Sequence, residues 1–299
     1  MSAPATTPAS RPRRRRSAGA VESAARARTW GKSALLAVIF LWCLFPFFWL
    51  IMTSLKIENA GLNSPDLFKG PFGFENYRNV FEQDFHLNLR NSLAIAAVTT
   101  ILCVVIGSLA AYAIARLPLK RKILLLTGVL AVSLFPPVAL VPPLYELWYR
   151  IGLLNTYEGL YIPYTSFTLP LTIFILTTFF AAIPKELEEA AKIDGATPFK
   201  TFYRVILPLA APGVFAAAII IFVSAWNEFL LANTFAPRDP EVAQTVPVAI
   251  AYFTGAVDFQ RPIGNITAAC VVVTIPMILI ALAFQRRIIA GLTAGSLKG

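Results

Sequence analysis

The sequence predicts an all-α, polytopic membrane protein with six transmembrane helices. Three observations carry this. Of the 299 residues, 57% are hydrophobic and 14% charged, whereas soluble domains hold roughly 45–50% apolar and about 25% charged residues. Apolar runs of bilayer length recur along the chain. The basic residues fall mainly in alternate connections between those runs.

The first run, Ala34–Met52, is 19 residues without a charge, close to the ~30 Å hydrocarbon core at about 1.5 Å per residue. A secretory signal has a shorter apolar region and a small-residue cleavage site. Here Phe45–Trp49 continues the run and Met52–Lys56 offers no such site, so the run reads as an uncleaved signal-anchor span. The next runs are Ser92–Ala115, Ile123–Leu144, Gly159–Ile183, Gly213–Phe235 and Ile266–Phe284. The third is interrupted by Pro136-Pro137 and Pro142-Pro143. Proline removes an intrahelical hydrogen bond, and broken backbone at membrane depth is tolerated only where protein or a water-filled cavity surrounds it.

Placing the N-terminus inside puts 19 of the 26 Lys and Arg residues in 1–33, 116–122, 184–212 and 285–299. The outer segments 55–91, 145–158 and 236–265 hold seven. This asymmetry orients both termini to the cytoplasm of a plasma or inner membrane. It also accounts for the net charge of +10 without nucleic acid. Residues 1–32 form a basic, low-complexity tail expected to lack structure, apart from a short surface helix over Val21–Arg28. Its Arg11–Arg16 region suits anionic lipid. The membrane domain is 33–299. In the outer loop 55–91, Phe74–Phe81 reads as an amphipathic helix with Tyr77, Val80 and Phe81 on one face, for packing or for a partner.

Catalytic residues and a metal site are not expected. Cys43, Cys103 and Cys270 lie far apart in apolar runs and read as small buried hydrophobes. His86 is the only histidine. Gly31-Lys32-Ser33 resembles the end of a P-loop, but Arg26 stands where its first glycine belongs and no strand precedes it. ATP is therefore not expected to bind this chain.

The inner segment 184–212 reads as two capped helices. Pro184 suits the first helical position, Glu186, Glu188 and Glu189 favour the positive end of the dipole, and Gly195 suits a left-handed cap. Thr197 and Pro198 open the second helix and Pro208 ends it. Phe199, Phe202, Tyr203 and Ile206 recur at helical spacing and are expected to anchor the pair on the spans. An ordinary cytoplasmic hairpin and a knob that enters a cleft on another protein both fit these residues.

Glu189-Ala190-Ala191, three residues, Gly195, nine residues, then Val205, Leu207 and Pro208 resemble the EAA loop of ABC-importer permeases, with Val205 in place of that pattern's isoleucine. Asn91-Ser92, Ala110–Arg116, Gly152–Thr156, Ala225–Phe229 and Gly291–Gly295 resemble its carbohydrate branch. Val248–Gly255 and Phe284–Gly291 are similar to the second permease of maltose- and trehalose-type systems. The resemblance implies the type I ABC-importer permease fold. It also implies half of a sugar pore, paired with a homologous permease, two copies of an ATPase that holds ATP and Mg, and an extracytoplasmic binding protein or lipoprotein. Glu189, Ala190, Ala191, Asp194, Gly195, Ala196, Leu207 and Pro208 are then the coupling residues. Trp226, Asn227 and Glu228, inside the fifth run, offer a ring, an amide and a carboxylate to a sugar. Otherwise Glu228 faces a polar gap or a partner helix. An ion-coupled transporter, a permease for another solute such as glycerol phosphate, and a membrane enzyme are the competing classes. Only Glu228 stands out for ion coupling, and the enzyme lacks a catalytic constellation.

Overall fold

The computed structural model describes residues 18–57, 68, 70–236, 239–253 and 262–296, with side chains described over 30–284 of that set. Arg11–Arg16 and residues 254–261 lie outside it, as do the side chains of Val21–Arg28 and Gln285–Gly295. Thirteen α-helices and one π-helical turn run along the described residues, with no strand among them.

Helix α1 spans Ala18–Ser54. Its helical backbone therefore extends into the part of the tail expected to be irregular. Trp30–Ser54 is long and apolar enough to cross a membrane, and the side chains from Trp30 to Trp49 are exposed, Trp42 at 79%. Cys43 is likewise exposed, not buried. A single apolar helix suspended in lipid needs no buried face, so apolarity alone did not imply an interior position.

From Ile51 onward the chain forms a second compact unit. Helix α2 is Glu75–Glu82. Its inward face carries Val80 and Asn76, both buried, whereas Phe81, expected on that face, is exposed. Asn76 Nδ2 donates to the Ser54 and Lys56 carbonyls at 2.9 and 2.6 Å, which draws the helix's polar position inward and turns Phe81 away.

Three long helices form the core: α3 (Phe85–Arg116), α6 (Tyr157–Ala182) and α10 (Ala211–Trp226). Small residues let their backbones approach, as membrane helix packing requires. A Cβ at Gly107 of α3 would lie 2.6 Å from Thr172 Cγ2 of α6, and one at Gly213 of α10 would lie 2.2 Å from the Phe179 ring. The closing helix, α13, is Ile263–Ser296, with Ile263–Phe284 as its candidate span.

Two spans are bent. Helices α4 (Lys122–Ser133) and α5 (Pro137–Ile151) meet at 77°, at the expected Pro136-Pro137 break. The segment Pro198–Leu209 meets α10 at 78°. Counting each pair as one span, the described helices give up to six crossings. The fifth run is not one helix as expected. Helix α10 stops at Trp226, and α11 (Leu230–Phe235) starts after a non-helical gap at Asn227–Phe229. Apolar residues lie on both sides of Asn227-Glu228, so hydropathy averaged over the run conceals the break.

The outer connections are fastened by side-chain amides. Asn91 Nδ2 donates to the Pro240 and Gln244 carbonyls at 2.9 and 3.0 Å, and its Oδ1 accepts from Tyr157 Oη at 2.6 Å. Ser92 Oγ accepts the Val246 amide at 2.8 Å, at the start of α12 (Val246–Ala251). Between α5 and α6, Gly152 takes the left-handed cap and Thr156 Oγ1 accepts from the Gly159 amide. Two of the sequence signatures are thus joints of the scaffold.

Candidate coupling site and path residues

Helix α7, Glu186–Ile193, starts two residues after Pro184. Proline precedes the helix instead of occupying its first position. The far end matches the sequence reading. Gly195 takes φ +77°, a region open to glycine at little cost. Its amide donates to the Lys192 carbonyl at 3.0 Å and the Ala196 amide donates to Ala191 at 2.9 Å. These two bonds make a Schellman cap, which satisfies carbonyls that would otherwise end in space.

The second half opens as expected, with Thr197 as N-cap accepting from the Lys200 amide and Pro198 at N1 of α8 (Pro198–Thr201). A π-helical turn follows over Phe202–Ile206, then the short α9, Leu207–Leu209. The helix does not stop at Pro208. Proline has no N–H for the Arg204 carbonyl and its ring crowds that carbonyl. The wider π turn, in which the Leu207 amide donates to Phe202, makes room for it. Leu207 is half-buried and Pro208 is exposed.

The expected four-residue anchor is a two-residue anchor. Phe202 and Ile206 are buried, while Phe199 and Tyr203 are 70% and 62% exposed. The buried pair is one turn apart on one stripe, and the exposed pair lies on the adjacent stripe. Tyr112 of α3 receives the anchor, its ring centroid 5.0 Å from Phe202 and 6.4 Å from Phe180.

Among the coupling residues, Ala191 is buried and Ala196 half-buried, while Glu189, Ala190, Asp194 and Gly195 are exposed. The loop therefore shows outward two carboxylates, one small side chain and the glycine of the cap. Behind it sits a pair that the sequence reading missed. Arg116, the last residue of α3, lies 3.1 Å from Glu188 of α7, Nε to Oε1, with side chains 3% and 11% exposed. Arg116 Nη2 also donates to the Phe180 and Ile183 carbonyls at the end of α6, both at 2.6 Å. One guanidinium thus holds together α3, α6 and α7. The available signal was the basic end of Ala110–Arg116 together with an acid beside Glu189.

The path residues do not converge on one site. Trp226 is 3% exposed and stacks on Phe222, with centroids 5.7 Å apart, inside the core. Its ring is therefore packing, because the helix break leaves it on the buried face of α10. Asn227 is exposed and donates to Val223 of its own helix. Glu228 is half-buried, and its Oε1 and Oε2 accept the Leu231 and Ala232 amides at 2.9 and 3.0 Å. It caps α11. Of the three, Glu228 lines a cavity of about 160 Å³ that also touches Tyr164, Thr168 and Ser224. Among the described residues, no group of three His, Cys, Asp or Glu side chains gathers as a metal site.

Residues 103–293 match the family described as binding-protein-dependent transport system inner membrane component. The chain belongs to this family. The matched stretch takes in Arg116, both capped helices, Glu228 and most of α13. Among its relatives is the trehalose transport system permease protein SugB of Mycobacterium tuberculosis. It is 45% identical over 277 residues, covering 92% of this chain and 99% of that protein. The trehalose/maltose transport system permease protein MalG of Thermococcus litoralis is 44% identical over 268 residues, covering 89% and 94%. The fold resembles a chain of a solved bacterial ABC transporter that imports alginate. There the TM-score is 0.66 at 20% identity, with 87% of this chain and 96% of that chain covered. This inner membrane component therefore has the ABC-importer permease fold, and the capped loop with its Arg116 fastening lies within the family's shared region.

Proposed function

We propose that this chain is half of the pore of an ATP-driven importer for a disaccharide of the trehalose or maltose kind. The loop from Glu189 to Pro208 receives the motion of a separate ATPase. The observation that carries the reading is the capped helix α7, which presents Glu189 and Ala190 outward while Glu188 and Ala191 face the membrane helices. Such a knob is rigid at its base and free at its tip, as a force-receiving contact must be. Pairing with a homologous permease, two ATPase subunits and an extracytoplasmic binding protein is supported by family membership, and the alternating charge supports a cytoplasmic side for both termini and the knob. ATP and Mg belong to the ATPase, and this chain binds no cofactor. The sugar class rests on relatives at 44–45% identity named for trehalose and maltose. Ion coupling through Glu228 is disfavoured, since its carboxylate is engaged by two backbone amides.

The test is co-expression with the neighbouring transport genes, purification, and reconstitution with the binding protein. An ATPase is expected to co-purify, and labelled trehalose or maltose to enter vesicles on addition of ATP, whereas glycerol phosphate is not. Glu189→Lys and Gly195→Pro are expected to abolish uptake without preventing membrane insertion. Full uptake by either variant would count against the coupling role.

A further inference from the structure

The two helix breaks in this permease meet at one cavity. Pro137, the first residue of α5 after the 77° bend, lines it, and so does Glu228, in the gap between α10 and α11. Irregular backbone at membrane depth is stable only where it lines a protected or wet space, and transporters place ligands at such discontinuities. The cavity's volume of about 160 Å³ exceeds several water molecules at ~30 Å³ each. It falls below the ~300–1,000 Å³ of pockets that enclose whole drug-sized ligands. It suits one sugar ring, with the rest of a disaccharide held elsewhere.

Its polar groups are unequally used. Tyr164 is 2% exposed, and its hydroxyl lies against the Glu228 carboxylate at the wall of this cavity. Glu228 accepts two backbone amides of α11 and faces the Tyr164 hydroxyl, and an ionised carboxylate has about four lone-pair sites, leaving roughly one unspent. Ser224 Oγ and Thr168 Oγ1 donate to carbonyls of their own helices at 2.8 Å each, and Thr168 Oγ1 also meets Cys103 Sγ at 3.1 Å, so Ser224 keeps the open acceptor capacity. The lining is therefore a tyrosine hydroxyl and a carboxylate beside the Ser224 hydroxyl, with the Phe167 ring alongside. A pyranose matches it, having an apolar C–H face for the ring and hydroxyls that donate to the acceptors. An anion does not match, since the Glu228 charge in a low-dielectric site repels it.

We infer that Tyr164, Ser224 and Glu228 form a subsite for one ring of a neutral sugar, and that Glu228 disfavours anionic cargo. This rests on the importer reading above and assigns this chain its own share of cargo recognition.

The decisive variant is Tyr164→Phe, which removes only the hydroxyl beside Glu228. A purely structural role predicts a lowered thermal midpoint with unchanged sugar delivered per ATP hydrolysed. A subsite predicts that sugar delivered per ATP hydrolysed falls roughly three- to tenfold, the worth of one neutral hydrogen bond. The measurement uses the complete reconstituted complex with saturating binding protein. Labelled trehalose, maltose and glycerol phosphate are the probes, Ser224→Ala is a second variant, and Tyr149→Phe, on an exposed residue, is the control. Losses at 164 and 224 with the control unchanged support the subsite. Wild-type sugar transport that both variants retain in full overturns it and leaves the importer reading standing. Wild-type preference for glycerol phosphate over both sugars overturns the neutral class. Absence of any ATP-driven uptake by the wild type overturns the importer reading itself.

Discussion

Arg116 Nε and Glu188 Oε1 stand 3.1 Å apart, and both side chains are almost fully withdrawn from solvent. The pair joins the C-terminal end of α3 to the first turn of α7. The guanidinium's contacts with Phe180 and Ile183 add the end of α6. A displacement of α7 is therefore delivered to two core helices at once.

Removing one partner leaves a buried charge alone, which costs about 3–5 kcal/mol. Arg116→Met and Glu188→Leu are each expected to lower the thermal midpoint of the purified complex and to let ATP hydrolysis run without uptake. The double variant is expected to recover much of the stability and none of the coupling, because the orphan charge is gone and so is the tether. Midpoints and uptake-to-ATP ratios across this cycle separate the two roles. Equal stability of the single and double variants would refute the pair.

Gly195 at φ +77° is expected to tolerate alanine poorly. The left-handed conformation costs an L-residue roughly 1–2 kcal/mol. Gly195→Ala should therefore fray the end of α7 and lower the uptake-to-ATP ratio partially, with Gly195→Val more severe. Hydrogen exchange at the Ala196 amide, which donates to Ala191, reports the fraying directly.

Pro208→Ala restores an amide to the Arg204 carbonyl. The π turn over Phe202–Ile206 is then expected to relax to α-helix, rotating the Phe202 and Ile206 stripe away from Tyr112. Loss of uptake with membrane insertion intact is the expected outcome. Cysteine crosslinking between positions 112 and 202 measures the rotation, and an unchanged crosslink would show that the turn is held by packing alone.

Asn91→Ala removes two donations and two acceptances at this fastening. At about 1 kcal/mol per hydrogen bond, with unsatisfied groups left behind, a loss of roughly 2–4 kcal/mol is expected. Limited proteolysis between 236 and 246 should accelerate in the variant relative to wild type.

The class of the molecule was legible in the sequence because membrane solvation acts on composition. Apolar runs and basic connections follow from the bilayer itself, and the caps at Gly195 and Thr197 follow from local backbone chemistry. What escaped were features that depend on partners distant in sequence. Hydropathy could not show that the fifth run breaks at Asn227, since both halves are apolar. The role of Glu228 as a cap became visible only once the break was known. Arg116 and Glu188 are 72 positions apart, and charge counting assigned both to orientation and dipole. Aromatic periodicity located the helix after Gly195, but the π turn forced by Pro208 accompanies an anchor of two residues instead of four.

Phe199 and Tyr203 remain uncovered beside Ile193, itself 87% exposed, on the same loop. On the proposed coupling role, a freshly made copy not yet bound to an ATPase would carry this apolar surface uncovered. Exposed patches of that kind invite aggregation and surveillance by chaperones and proteases. Assembly would hide the patch, and failure to assemble would mark the orphan for removal. The surface proposed to receive force would then also act as a quality-control tag, keeping subunit numbers matched.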